Sequence, residues 1–291
     1  MPGEVTSAEA RQPDAPQVSV VLPFLNELRF LEGAVATVRA QLGVRWELLL
    51  VDDGSTDGSG TLADQIAAGD ADRIRVVRHP GGENRGLAAS RNLGLGGARA
   101  AAIAFLDADD RWEPTKLDRQ LEQLAGNPSV AMVCGPARYE FHGTDLPDEV
   151  RPVADEPPYV FAPRRFARHL YCTRLASPPP SAVMYRTDAL RRIGGVPAGD
   201  SLYEDQRTYV AVNLRYPIFV GAEPMCTYAV RPDSIYGSLA DDAATRWRQR
   251  QTFERWIVRS GLRYGPHGAL FAAEVVARRL VSRARALVRR G

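Results

Sequence analysis

Asp107-Ala108-Asp109 follows the apolar run Ile103-Ala104-Phe105-Leu106, which puts two carboxylates two residues apart at the end of what reads as a strand. Side chains alternate along a strand, so both carboxylates are predicted on one side of the pleat, where their charges repel. Unless one of them holds a proton, a hard divalent cation such as Mg2+ or Mn2+ is the natural counter-charge. Such ions keep waters and take their remaining ligands from substrate phosphates. The structural alternative is that Asp107 to Asp110 cap a helix starting near Glu113, since acids favour a helix N-terminus.

Asp52-Asp53-Gly54-Ser55-Thr56-Asp57 also has two readings. Asp-Gly makes turns and Ser, Thr or Asp caps a following helix, yet a paired Asp at a strand end can also accept hydrogen bonds from a nucleobase or a ribose. Asn84-Arg85-Gly86-Leu87-Ala88-Ala89-Ser90-Arg91-Asn92 opens a further helix, from which Arg91 can reach a phosphate or a base edge. Gly94, Gly96 and Gly97 do not complete a dinucleotide fingerprint, because position 99 is Arg and the run lies within or at the end of a helix. No Walker-type phosphate loop is present, so dehydrogenase and P-loop readings lose support. Tyr203-Glu204-Asp205-Gln206 is a third acidic site, which by itself reads as an exposed helix start.

The elements that must position these residues alternate between strand and helix. Val18 to Leu22, Glu47 to Val51, Ile74 to Val77 and Ala101 to Leu106 read as strands. Amphipathic stretches at Glu27 to Gln41, Asp57 to Ala68 and Leu87 to Ala98 read as helices between them. This predicts an α/β fold with a Rossmann-like, mainly parallel sheet covered on both faces, and ligands at the carboxyl ends of its strands, where the acidic clusters sit. Beyond about residue 140 prolines break the pattern. Val183 to Arg186 and Ile218 to Val220 read as short strands, and Asp188 to Ile193 as a short helix ended by Gly194 and Gly195. Two helical stretches follow from Asp241.

With 37 basic and 35 acidic residues the net charge is +2, which gives no global field for nucleic acid. Residues 270 to 291 are the exception, with six arginines against Glu274 alone. There Val276, Leu280, Ala284 and Leu287 form an apolar stripe opposite many of the arginines, expected to pack on its own domain; peripheral contact with anionic lipid, the acceptor complex or a partner chain is the alternative. Cys134, Cys172 and Cys226 form no Cys-x-x-Cys, which fits a reducing, cytoplasmic setting. No secretory signal or stretch of about 18 apolar residues is visible, and residues 1 to 16 read as a disordered leader.

Taken in order, these segments resemble the inverting nucleotide-sugar glycosyltransferases often called family 2, of the glycosyltransferase-A (GT-A) fold. Val18 to Glu27 is similar to that family's opening strand and loop, Asp52 to Asp57 to its nucleotide-binding turn, Asn84 to Asn92 to its helix motif, and Phe105 to Asp110 to its Asp-x-Asp motif. The stretch from Met184-Tyr185-Arg186 through Gly194-Gly195 to Glu204-Asp205 resembles its acceptor-side region. The resemblance covers roughly residues 17 to 236, a catalytic domain with a nucleotide-binding half (17 to 110) and an acceptor half (111 to 236); residues 237 to 291 add C-terminal helices.

The resemblance implies that Pro23, Leu25 and Glu27 line the nucleotide, that Asp53 meets the base, that Asp107 meets ribose and metal, and that Asp109 binds the metal. Ala108 and Arg91 belong to the same donor site, and Asp205 is the implied base. The donor would be a UDP-, TDP- or GDP-sugar with Mn2+ or Mg2+, and the acceptor a small molecule, a peptide or a lipid-linked group at the inner membrane face. Two positions depart from the pattern. Leu25 stands where the family has an aromatic residue, and Arg231 where many relatives have a His; Arg cannot ligate a metal but its guanidinium can clamp a diphosphate. Arg231 and Ser234 are thus expected as lid residues. A nucleotidyltransferase and a non-catalytic nucleotide- or carbohydrate-binding relative are the competing classes; Asp107, Asp109 and Asp205 argue against the second.

Overall fold

The computed structural model describes residues 15–172, 176–198, 203–232 and 243–288. Most of the expected leader, and Ser234, lie outside them. In chain order the first half runs β1 (Val18–Phe24), α1 (Leu31–Arg39), β2 (Trp46–Asp52), α2 (Ser59–Ala68), β3 (Ile74–Arg78), α3 (Leu87–Gly97) and β4 (Ala102–Phe105). The second half runs β5 (Arg111–Trp112), α4 (Lys116–Gly126), β6 (Met132–Cys134), β7 (Ala137–Phe141), β8 (Glu149–Arg151), β9 (Tyr159–Phe161), α5 (Arg165–Cys172), β10 (Met184–Arg186), α6 (Thr187–Arg192), α7 (Glu204–Asn213), β11 (Ile218–Val220) and β12 (Cys226–Val230). Two helices, Ala243–Ser260 and Gly265–Val288, close the chain.

The main sheet has the order β3-β2-β1-β4-β10-β6-β11-β9. The β3, β2, β1 and β4 strands are mutually parallel, β10 runs antiparallel between β4 and β6, and β11 returns parallel to β6. The sheet is therefore parallel where the sequence alternates and mixed where prolines interrupt it. A second sheet of order β5-β12-β7-β8 stands beside it.

Strand periodicity builds the two cores. Val18, Val20 and Leu22 of β1, Leu48 and Leu50 of β2, and Ala102 and Ala104 of β4 pack with α1 and α2 on one face. Their neighbours Val21, Leu49, Val51, Ile103 and Phe105 pack on the other face with α5, α6, α7 and the C-terminal helices. Both faces are buried, so the strands read as apolar runs without polar alternation. Gly94 of α3 explains one of the glycines that mimic a dinucleotide motif: a Cβ there would collide with the Val21 side chain, so the glycine lets helix and sheet touch.

The last helix corrects the expected packing. Its buried side is Phe271, Ala272 and Val275, while Val276 and Leu280 of the expected stripe are exposed; Ala284 and Leu287 lie outside the described side chains. Phe271 packs edge-on against Tyr171 in the same buried cluster as Ile257, and this large aromatic side chain marks the side of the helix that faces inward.

Candidate active site

The carboxyl ends of β1 and β2 are tied to each other. Asn26, held at φ 57°, donates its N–H to Ser55 Oγ (3.0 Å) and accepts the Thr56 N–H on Oδ1 (2.8 Å). Asp57 receives the N–H groups of Leu28 (3.1 Å) and Ser59 (2.9 Å), so it serves the start of α2 as the turn reading expected. Asp52 closes the turn by accepting the Ser55 N–H at 2.9 Å. Asp53 does something local sequence did not suggest: its two oxygens accept the N–H groups of Arg85 (2.8 Å) and Gly86 (2.9 Å), which fixes the loop that opens α3. Gly54, at φ 87°, lets that loop close in, since a Cβ would come within 2.9 Å of Asn84 N and Gly82 O.

The Asp107 to Asp110 segment is a turn beyond the end of β4, with the Asp110 N–H donating to the Asp107 carbonyl at 3.1 Å. The expected shared side of a strand therefore does not apply, and the two carboxylates separate to different guanidinium groups. Asp107 Oδ1 accepts from Arg91 Nη2 at 2.5 Å, whereas Asp109 Oδ2 accepts from Arg231 Nε at 3.0 Å. Ala108 between them is buried. The helix-capping alternative fails as well, because α4 starts only at Lys116, after Thr115. Asp110 is instead buried and accepts the Ser181 hydroxyl (2.5 Å) and the Ala229 N–H (2.9 Å), which binds the turn to both β12 and the segment before β10.

Arg91 is buried in α3 and extends to a second acid, Glu204 at the start of α7. Burial works against its charge, but Asp107 and Glu204 outweigh it and raise its pKa. One guanidinium thus connects the acidic turn after β4 to the acid pair that sequence alone left as an exposed helix start. Glu204 is in fact buried and Asp205 half-buried. Burial, partly offset by the Gln206 N–H and reinforced by the Glu204 charge, pushes Asp205 up to about 7.

On the opposite side Arg231, delivered by the end of β12, bridges Asp109 and Glu27 (3.1 Å) and lies over the Phe30 ring, 4.4 Å from its centroid. Pro23 is buried at the end of β1 and Leu25 is exposed on the same loop. The structure therefore gathers Glu27, Asp109 and Arg231 in one group and Asp107, Arg91 and Glu204, with Asp205 beside them, in another. Asp53 stands in the adjoining loop. Sequence reading missed Ser181, whose hydroxyl also accepts the Asp107 N–H at 3.1 Å, and Phe30, because each meets its partner only across the fold.

The donor set suits a divalent cation. Glu27, Asp107, Asp109 and Glu204 are held by the guanidinium groups of Arg91 and Arg231, with Asp205 beside Glu204. Burial and the Asp107 charge raise the Asp109 pKa, and burial followed by the Asp109 charge raises Asp110 well above the carboxylate range. Among the described residues no three His, Cys, Asp or Glu side chains form a ready ligand cage. Asp107 and Asp109, each with part of its side chain exposed, fit an ion that takes its other ligands from water and phosphate.

A sequence model of the family described as Glycosyl transferase family 2 matches residues 19–194, more than half of the chain, including the turns at Asp52 to Asp57 and Asp107 to Asp110 and ending before Glu204 and Asp205. The chain belongs to glycosyl transferase family 2. Among curated relatives, the family 2 chain is 42% identical over 131 residues to the Bacillus subtilis protein TuaG, whose name refers it to teichuronic acid biosynthesis; the match covers 45% of this chain and 51% of that one. It is 37% identical over 117 residues to an uncharacterised glycosyltransferase of Nostoc, covering 40% and 35% of the two chains. The family 2 chain thus spans about half or less of the length of these relatives.

Solved structures agree in fold. Staphylococcus aureus TarS 1-349 in complex with UDP-GlcNAc superposes with a TM-score of 0.64 at 18% identity, covering 89% of this chain and 71% of that one. The mannosyltransferase PcManGT of Pyrobaculum calidifontis, in complex with GDP-Man and Mn2+, gives 0.58 at 20% identity, covering 96% and 84%. The GT-A expectation holds, and family 2 membership does not favour the nucleotidyltransferase reading.

Proposed function

We propose that this chain is a metal-dependent glycosyltransferase that moves a sugar from a nucleoside diphosphate to an acceptor hydroxyl or other nucleophile, with inversion at the anomeric carbon. The observation that carries this reading is the contact path from Asp107 through Arg91 to Glu204, with Asp205 alongside, because it joins a phosphate-side acidic turn to a base at one site. The bound UDP-GlcNAc of TarS and the GDP-Man and Mn2+ of the mannosyltransferase support a nucleotide-sugar donor and Mn2+ or Mg2+.

In this reading Asp107 and Asp109 hold the divalent cation, which when bound neutralises charge on the diphosphate leaving group. Pro23, Leu25 and Glu27 line the nucleotide, Asp53 faces the base, and Ala108 belongs to the donor-binding turn. Arg231, already poised between two carboxylates, turns to clamp the diphosphate once the donor enters. Asp205 takes the proton of the acceptor hydroxyl as its oxygen attacks the anomeric carbon. The bond from that carbon to the diphosphate oxygen breaks on the opposite face, and its electron pair leaves with the nucleoside diphosphate. The acceptor is a small molecule, a peptide or a lipid-linked group.

Calorimetric titration with UDP, TDP, GDP and CDP, each with Mn2+ or Mg2+ and again with chelator, tests the donor half of the reading. Metal-dependent binding of one nucleoside diphosphate is the expected result. A folded protein that binds none of them would overturn it.

A further inference from the structure

The helix Gly265–Val288 departs from the usual surface pattern on its outward side. Phe271, Ala272 and Val275 face inward, and the opposite side is also apolar. Leu270 is 53%, Val276 39%, Leu280 60% and Val281 50% exposed, with Ala273 and Ala277 exposed among them. At about 100° per residue these side chains share one arc of roughly 140°, centred away from the buried face. A solvent-facing helix surface normally carries the charges, so this stripe calls for an occupant.

Charge identifies the occupant. From Gly265 onward the helix carries one acid, Glu274, which already accepts from Arg168 at 2.8 Å and lies 3.6 Å from Arg278. Arg279 turns inward to Glu254 at 3.3 Å. Beside the helix lies a cavity of about 840 Å3 that shares no residue with the acidic site and is lined by Arg164, Arg165, Arg168 and, from the helix itself, His267 and Arg278. Asp155 and Glu156, its two lining carboxylates, are outnumbered. Arg164 is kept at φ 72°, a conformation that costs a non-glycine residue, while its N–H donates to the Asn213 carbonyl at 2.8 Å. An apolar stripe on a helix that also contributes to a basic cavity matches the acyl boundary and phosphate headgroups of an anionic membrane. A second copy of the chain would bring arginines against arginines. No helix among the described residues is long and apolar enough to cross a membrane.

We propose that the outward stripe of Gly265–Val288 and the arginine-lined cavity beside it dock the protein on the surface of a membrane rich in anionic phospholipid. The stripe enters the headgroup boundary, and the cavity takes a lipid phosphate.

Co-sedimentation of the full chain with phosphatidylglycerol/phosphatidylcholine vesicles and with pure phosphatidylcholine vesicles tests this. Binding to the anionic vesicles at least tenfold stronger than to the neutral ones, weakened by 0.5 M salt, is expected. Leu280→Asp with Val281→Asp removes exposed apolar groups only, so it should cut vesicle binding at least tenfold while thermal unfolding and nucleotide titration stay as in the wild type. Arg164→Glu with Arg165→Glu should erase the preference for anionic lipid. Absent vesicle binding, double-aspartate binding equal to the wild type, or a concentration-dependent dimer lost in that variant without any vesicle binding would each overturn the proposal.

Discussion

Arg231 donates from Nε to Asp109 Oδ2 at 3.0 Å, across 122 positions of sequence. The same guanidinium reaches Glu27, so the second carboxylate of the acidic turn is neutralised by an arginine before any ligand arrives. Arg231→Gln should remove that competition. Manganese titration by paramagnetic resonance, without nucleotide, is expected to show Mn2+ affinity rising about tenfold, the equivalent of about 1.4 kcal/mol. Unchanged affinity would mean that Asp109 is not the cation's ligand.

With Asp205 as the proposed base, the pH dependence of transfer follows from its pKa. Burial raises its pKa to about 7, so the unprotonated base is scarce at pH 5 and dominant at pH 8, and the single-turnover rate should climb through about pH 7. Asp205→Asn should lower turnover by about 10²- to 10⁴-fold while leaving nucleoside-diphosphate binding within a factor of about two. Full turnover in this variant would remove Asp205 from the role of base.

Arg91 is the internal counter-charge of two acids, one of them buried. Arg91→Met leaves Glu204 and Asp107 facing each other without it and is expected to cost about 3–5 kcal/mol in urea unfolding. Arg91→Lys should recover only part of that loss, because an ammonium cannot span two carboxylates as the planar fork does. An unfolding midpoint shared by all three proteins would refute the bridging role.

Lys116 is buried, donates to Gln120 Oε1 at 2.7 Å and lies 4.1 Å from the Trp112 ring centroid. Burial lowers its pKa to about 7, below the value of about 10.4 in an unfolded chain. Between those values the folded protein binds fewer protons than the unfolded one, so this group makes stability rise as pH rises from about 7 to about 10. Below about 7 the folded state must charge the buried amine. Lys116→Met should flatten the slope in that window, and chemical unfolding of both proteins at pH 7 and pH 9.5 reads the difference. Parallel pH profiles would contradict the assignment.

The nucleotide-side half of the fold was legible because it rests on local signals. Apolar runs of four to seven residues, punctuated by Asp-Gly and by helix-start residues, mark β1 to β4 and the helices between them, and the acidic clusters follow strands whose ends form one rim. Ile218–Val220 and the helix before Gly194 and Gly195 were legible for the same reason. Met132–Cys134 and Cys226–Val230 gave no comparable signal: three or five residues are too short to define a period, and both are strands only because neighbours supply their hydrogen bonds.

By itself the sequence determined which carboxylates are available, and its resemblance to family 2 singled out Asp107, Asp109 and Asp205. Only the tertiary structure decided their partners. Arg91 meets Glu204 113 positions later, and Arg231 meets Glu27 204 positions earlier, distances at which no local pattern carries information. The orientation of the last helix was decided in the same way. Its period allows more than one apolar face, and the packing of Phe271 against Tyr171 marks which of them is buried and which is left outside.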